Sequence, residues 1–139
     1  SELFEESNTE ETNDPVVHGV DHKLQPINSQ IHQVLLKTPG SELTMLPRLF
    51  VLLPFDEEDY TKELNSHEGE EFLYVLEGII TFYLDDNQYL LYPGDSINIK
   101  STQKHNWVNR TNRIARIIVV NTPNPLLKNK NKEIFFPHH

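Results

Sequence analysis

Apolar residues in this chain come in short runs, and turn-forming residues separate them. Residues 30–37 carry Ile31, Val34, Leu35 and Leu36, and Thr38-Pro39-Gly40-Ser41 then breaks the run. Residues 45–53 form a second run around Phe50-Val51-Leu52-Leu53, interrupted by Pro47 and closed by Pro54. From Phe72 to Leu76 the chain is apolar again and stops at Gly78. Residues 79–84 and 88–92 flank Asp85-Asp86-Asn87, which reads as a hairpin. Ile97 and Ile99 alternate with polar neighbours after the Pro93-Gly94-Asp95 turn. Residues 105–109 and 114–120 are the last strong strands, and residues 16–20 are a further short candidate. The runs are too short for amphipathic helices, and no internal repeat is present. Many short strands with turns between them predict an all-β sandwich or barrel.

The flanks differ from this middle. Residues 1–14 are acidic and polar apart from Leu3 and Phe4, and read as a flexible arm or interdomain linker. Residues 15–126 carry the strand pattern and form the barrel domain. In the tail, 127–139, lysine and asparagine alternate before Ile134-Phe135-Phe136, which are expected to dock on the body. His138 and His139 read as the start of a purification tag.

With 139 residues the chain fits one domain with a real core. Its net charge of −9 argues against direct nucleic-acid binding and against an anionic membrane surface. Arg110, Arg113 and Arg116 are expected to be a solvated strand face. The lack of cysteine excludes disulfides, thiolate zinc sites and cysteine nucleophiles, and fits a cytoplasmic protein. No apolar run approaches the ~20 residues of a membrane span.

The candidate chemistry lies at the mouth of the 72–76 run. His67 and Glu71 are four residues apart and share a side if the segment is extended. His105 opens a later strand. Two imidazoles and one carboxylate from two strands suit iron(II), manganese or another octahedral cation with open positions. On spacing alone, the alternative is a hydrogen-bonded loop histidine and a solvated acid. His18 and His22 read as surface residues near a turn, and the 56–59 acids as a solvated loop.

From Asn65 to Asn109 the sequence resembles the cupins. His67, Glu71 and Gly78 match the second histidine, the glutamate and the glycine of the first cupin motif. Asn65 stands where that motif has its first histidine. Pro93-Gly94, His105 and Asn109 match the second motif. The resemblance implies a double-stranded β-helix, a jelly-roll barrel, with a divalent metal (iron, zinc, manganese or nickel) held by His67, Glu71 and His105. If His105 faces inward on a regular strand, Trp107 and Asn109 follow it and become candidate ligand contacts, with core packing the alternative for Trp107.

The wording of 67–78 and of Tyr92-Pro93-Gly94-Asp95-Ser96 is similar to the C-terminal cupin of bacterial helix-turn-helix regulators of the xenobiotic-response-element type. The similarity reaches the Leu3-Phe4 lead-in and Asp14-Pro15-Val16-Val17 upstream and residues 115–120 downstream. It implies a sensor for a small-molecule effector, a homodimer with Val51-Leu52-Leu53 as a candidate seam, and DNA contact only through an upstream domain absent from this chain. The rival expectation is a metal-dependent cupin enzyme: an iron oxygenase, epoxidase or isomerase.

Overall fold

The computed structural model describes residues 14–38, 40–54 and 64–124. The expectations for the acidic arm, the 56–59 loop and the 134–136 cluster lie outside them. The fold is all-β, with nine strands in two antiparallel sheets among the described residues. In chain order the strands are β1 (Gln25–Pro26), β2 (Ile31–Leu35), β3 (Leu46–Leu52), β4 (Glu70–Glu77), β5 (Ile80–Leu84), β6 (Asn87–Leu91), β7 (Ser96–Lys100), β8 (His105–Val108) and β9 (Ala115–Thr122). The larger sheet runs β1-β2-β3-β9-β4-β7 and the smaller β6-β5-β8. No helix among the described residues is long and apolar enough to cross a membrane.

Alternation along the strands decides which side chains enter the barrel. On β4, Glu71, Leu73 and Val75 are buried while Glu70, Phe72, Tyr74 and Leu76 are exposed. Along β9, Ala115, Ile117, Val119 and Asn121 are buried by the same period of two. Phe50 and Leu52 from β3, Ile80 and Phe82 from β5, and Trp107 from β8 join Leu73, Val75, Ile117 and Val119 in one core. Buried polar side chains, among them Arg48, Glu71, His105 and Asn121, accompany that core.

Two glycines set the ends of β4. Gly69 has φ +107°, and a Cβ there would run into the Thr122 carbonyl oxygen. Gly78 has φ +83°, and a Cβ would meet the Ala115 side chain at 2.7 Å. Both positions combine a left-handed backbone with close approach of β9, so no L side chain fits.

Four expectations are corrected. Residues 16–20 form no strand; a 3-10 turn spans Gly19–Asp21 instead, and the first pairing is the two-residue β1 against β2. Pro47 does not interrupt its run, because β3 begins only one residue earlier and the missing N–H falls at the strand end. Arg110 and Arg113 lie in the loop between β8 and β9, and Arg110 Nη1 donates to the Tyr83 hydroxyl at 2.7 Å. Of the proposed dimer seam, Leu52 faces the core and Val51 the outside, so Val51-Leu52-Leu53 cannot act as one apolar edge.

Candidate metal centre

His67 precedes β4, and its placement depends on loop hydrogen bonds. Its backbone N–H donates to the Ser101 carbonyl at 2.8 Å, and Ser101 N–H donates to the Gly69 carbonyl at 2.8 Å. The left-handed turn at Gly69 then feeds the chain into β4. His67 and Glu71 therefore meet across a bend and not along a continuous extended strand. His105 comes from the other sheet. Its N–H and carbonyl pair with Asn65 in a two-way bridge, each bond 2.9 Å.

One ligand atom each from His67, Glu71 and His105 lies within 4.8 Å of the others. His105 Nε2 is 3.6 Å from Glu71 Oε1. Ligands at about 2.1 Å from one ion lie roughly 3 Å apart at right angles, so small side-chain rotations close the set around a cation. Both histidines are turned for this task. His105 Nδ1 is 2.6 Å from the Gln103 carbonyl, and His67 Nδ1 is 3.2 Å from the Glu68 carbonyl. A carbonyl only accepts, so in the neutral ring each Nδ1 carries the proton and Nε2 is the nitrogen left to bind a proton or a metal. His67 Nε2 is buried with no hydrogen-bond partner among the described residues. Such an orphaned ring nitrogen, in a cluster with a carboxylate and a second imidazole, fits a divalent ion.

The surroundings are polar and buried. Phe82 lies nearly parallel to the His105 ring, with centroids 6.4 Å apart. Burial disfavours a charged His105, but the facing Glu71 carboxylate, the Gln103 carbonyl and the charge of Asp85 outweigh it. The His105 pKa is raised as a result. Asn121 Nδ2 donates to Glu71 Oε1 at 2.9 Å, and its Oδ1 accepts from Arg48 Nη2 at 2.9 Å. Arg48 is itself buried, which pushes its pKa down to about 10 against the opposing pull of Glu71; it stays cationic at neutral pH.

Not every expected residue joins this cluster. Trp107 packs in the core, its ring 5.1 Å from Phe50. Asn109 clips the β8–β9 loop: its amide nitrogen donates to the Leu52 and Arg113 carbonyls, and its oxygen accepts from Thr111. Asn65 stands opposite His105 across their bridge, and side chains so paired share a face. Its Nδ2 is buried with no partner among the described residues. Arg48 and Asn121 belong to the cluster although no sequence motif marks them. An arginine within the apolar 45–53 run is the available signal, because it interrupts an alternating core face.

A cleft of about 670 Å³ lies beside β4 and β7, lined by Glu70, Glu71, Phe72, Asn98, Lys100 and Thr122 among others. Of the three candidate ligands only Glu71 lines it.

Residues 54–121 match the model of the cupin domain. The fold is that of the cupins. Hydroxypropylphosphonic acid epoxidase from S. wedmorenis is similar with a TM-score of 0.65 and 23% identity, over 76% of this chain and 58% of that one. The chain thus spans well under two thirds of that enzyme, which has also been solved with iron(II). An RmlC-like cupin from Shewanella frigidimarina gives 0.64 and 16% identity, over 81% of this chain and 94% of that one. The cupin domain of an XRE-family transcriptional regulator from Enterobacter cloacae gives 0.57 and 20%, over 68% and 97%. No curated protein sequence matches.

Proposed function

We propose that this cupin is the effector-binding part of a transcriptional regulator, with a divalent metal held by His67, Glu71 and His105. The observation that carries the reading is the pair of histidine tautomers. Two backbone carbonyls each engage an Nδ1, which leaves the Nε2 atoms of His67 and His105 as the remaining ring nitrogens of a cluster with Glu71. A bound ion would supply open positions for an oxygen or nitrogen donor of a small molecule. The chain's own residues do the remaining work. Asn121 and the carbonyls of Gln103 and Glu68 hold the donors in place, and the stacked Phe82 excludes water from one side of His105.

The regulator part of the proposal rests on likeness to the Enterobacter cloacae domain, nearly all of which is covered. In such an arrangement two copies pair, and the effector shifts their geometry by its difference in affinity for the two states. DNA contact belongs to a helix-turn-helix domain upstream. The test is the full reading frame and its product. A helix-turn-helix segment before Ser1, with operator affinity that changes on metal removal, supports the proposal. A reading frame without one overturns it.

A second reading is an iron-dependent cupin enzyme, favoured by the likeness to the epoxidase. Oxygen uptake by the iron(II)-loaded protein, dependent on an added organic substrate, would select it.

A further inference from the structure

Arg48 is a full positive charge inside the barrel, 3% exposed, on the same inward face of β3 as Phe50 and Leu52. Its partners are neutral. Nη1 donates to Gln33 Oε1 at 3.3 Å and Nη2 to Asn121 Oδ1 at 2.9 Å. Its ring contact is Phe50, with the guanidinium carbon 4.9 Å from the centroid. Nε is buried with no hydrogen-bond partner among the described residues. Asn121 bridges Arg48 to the Glu71 carboxylate, whose charge also acts on the guanidinium. A guanidinium normally buried against a carboxylate fork here spends itself on two amides and keeps a donor unused.

Charge sharpens the point. Arg48 and Glu71 balance each other in the metal-free barrel. Metal binding requires neutral imidazoles, so a divalent ion leaves two positive charges uncompensated in a buried site. Uncompensated buried charge is costly, and a bound anion removes that cost.

Building on the metal reading above, we propose that Arg48 is an anion-binding arm of the barrel, and that the small molecule held there is a carboxylate. One oxygen of the ligand takes an open metal position, and a carboxylate oxygen accepts from Arg48 Nε. The guanidinium shape favours a planar carboxylate over a halide. Asn121 lies between the two anchor points and fixes their relative placement.

The probe is malonate, titrated calorimetrically into the zinc-loaded protein, with malonamide as the uncharged control. In parallel, the Arg48 Nε–H resonance is followed by nitrogen-15 NMR; the other three arginines are exposed and do not confuse it. Malonate should bind and malonamide should not, and the Arg48 Nε–H signal should shift in step with binding. Arg48→Met should keep its zinc and lose malonate affinity by about tenfold or more. Arg48→Lys, which keeps the charge, should fall between. Equal malonate affinity in Arg48→Met, no binding at all, or binding without movement of the Arg48 signal would each overturn the proposal. Should Arg48→Met fail to fold, the wild-type NMR titration decides alone. Failure to bind zinc would sink the metal reading instead. In that case a malonate-induced shift of Arg48 Nε–H would still support the arginine site, and its absence would overturn it.

Discussion

Asn121 stands directly across the β4–β9 ladder from Glu71 and donates its amide N–H to Glu71 Oε1 at 2.9 Å. The same amide accepts from Arg48 on the neighbouring strand, so one side chain joins the candidate metal carboxylate to the buried cation. Replacing Asn121 by leucine should leave both charges short of a partner. We expect a loss of about 2 kcal/mol in unfolding free energy and a metal affinity lower by about 10–100-fold. Urea denaturation and metal titration of Asn121→Leu check both.

The pH response of the metal-free protein follows from His105. Its folded pKa lies above the ordinary value of about 6.5, so its favourable interaction is fully present below that pH. The contribution is lost as pH rises through the folded value. Metal uptake runs the other way, because it requires neutral imidazole. Urea denaturation of EDTA-treated protein should therefore show stability falling from pH 6 toward pH 8 (about two units), with the slope reduced in His105→Asn. An unchanged slope in that variant would assign the effect elsewhere.

Gly69 should tolerate no side chain. Alanine there would drive Cβ into the Thr122 carbonyl oxygen, in a left-handed backbone. The expected cost is about 3 kcal/mol or more, with weakened metal binding because the bend carries His67 toward Glu71. Thermal unfolding and metal content of Gly69→Ala provide the comparison.

Asn109 separates loop support from ligand contact. Its amide holds the carbonyls of Leu52 and Arg113. Asn109→Ala should lower stability by roughly 1–3 kcal/mol and leave metal stoichiometry unchanged. Loss of metal in a folded Asn109→Ala would show that the loop it supports also positions the metal ligands.

Much of this arrangement is legible in the sequence, for a physical reason. The apolar runs are a strong signal and locate β4 and β9. Both faces of 72–76 and 117–120 are apolar, however, so the structure and not the sequence singles out Leu73, Val75, Ile117 and Val119 as the inward set. The glycine and proline turns bound the strands they interrupt. The pairing of His67 with Glu71 is legible too, but its local cause is not. Period-two logic puts both on one side of a strand, whereas the Gly69 bend and the Ser101 backbone bonds bring them together. The inward face of His105 extends to Trp107, which lies within β8 and is buried in the core; extending it to Asn109 assumes a strand that continues. In fact β8 ends at Val108, and Asn109 turns to serve the loop. Arg48 stays hidden because its partners at residues 33 and 121 lie across strands and cannot be paired by sequence spacing.

Metal analysis of the purified, untagged protein tests the central claim most directly. Wild type dialysed against zinc or iron(II) should hold one ion per chain, and His67→Ala, Glu71→Ala and His105→Ala should each lose most of it while remaining folded. Full metal content in a folded His67→Ala protein would contradict the proposed centre.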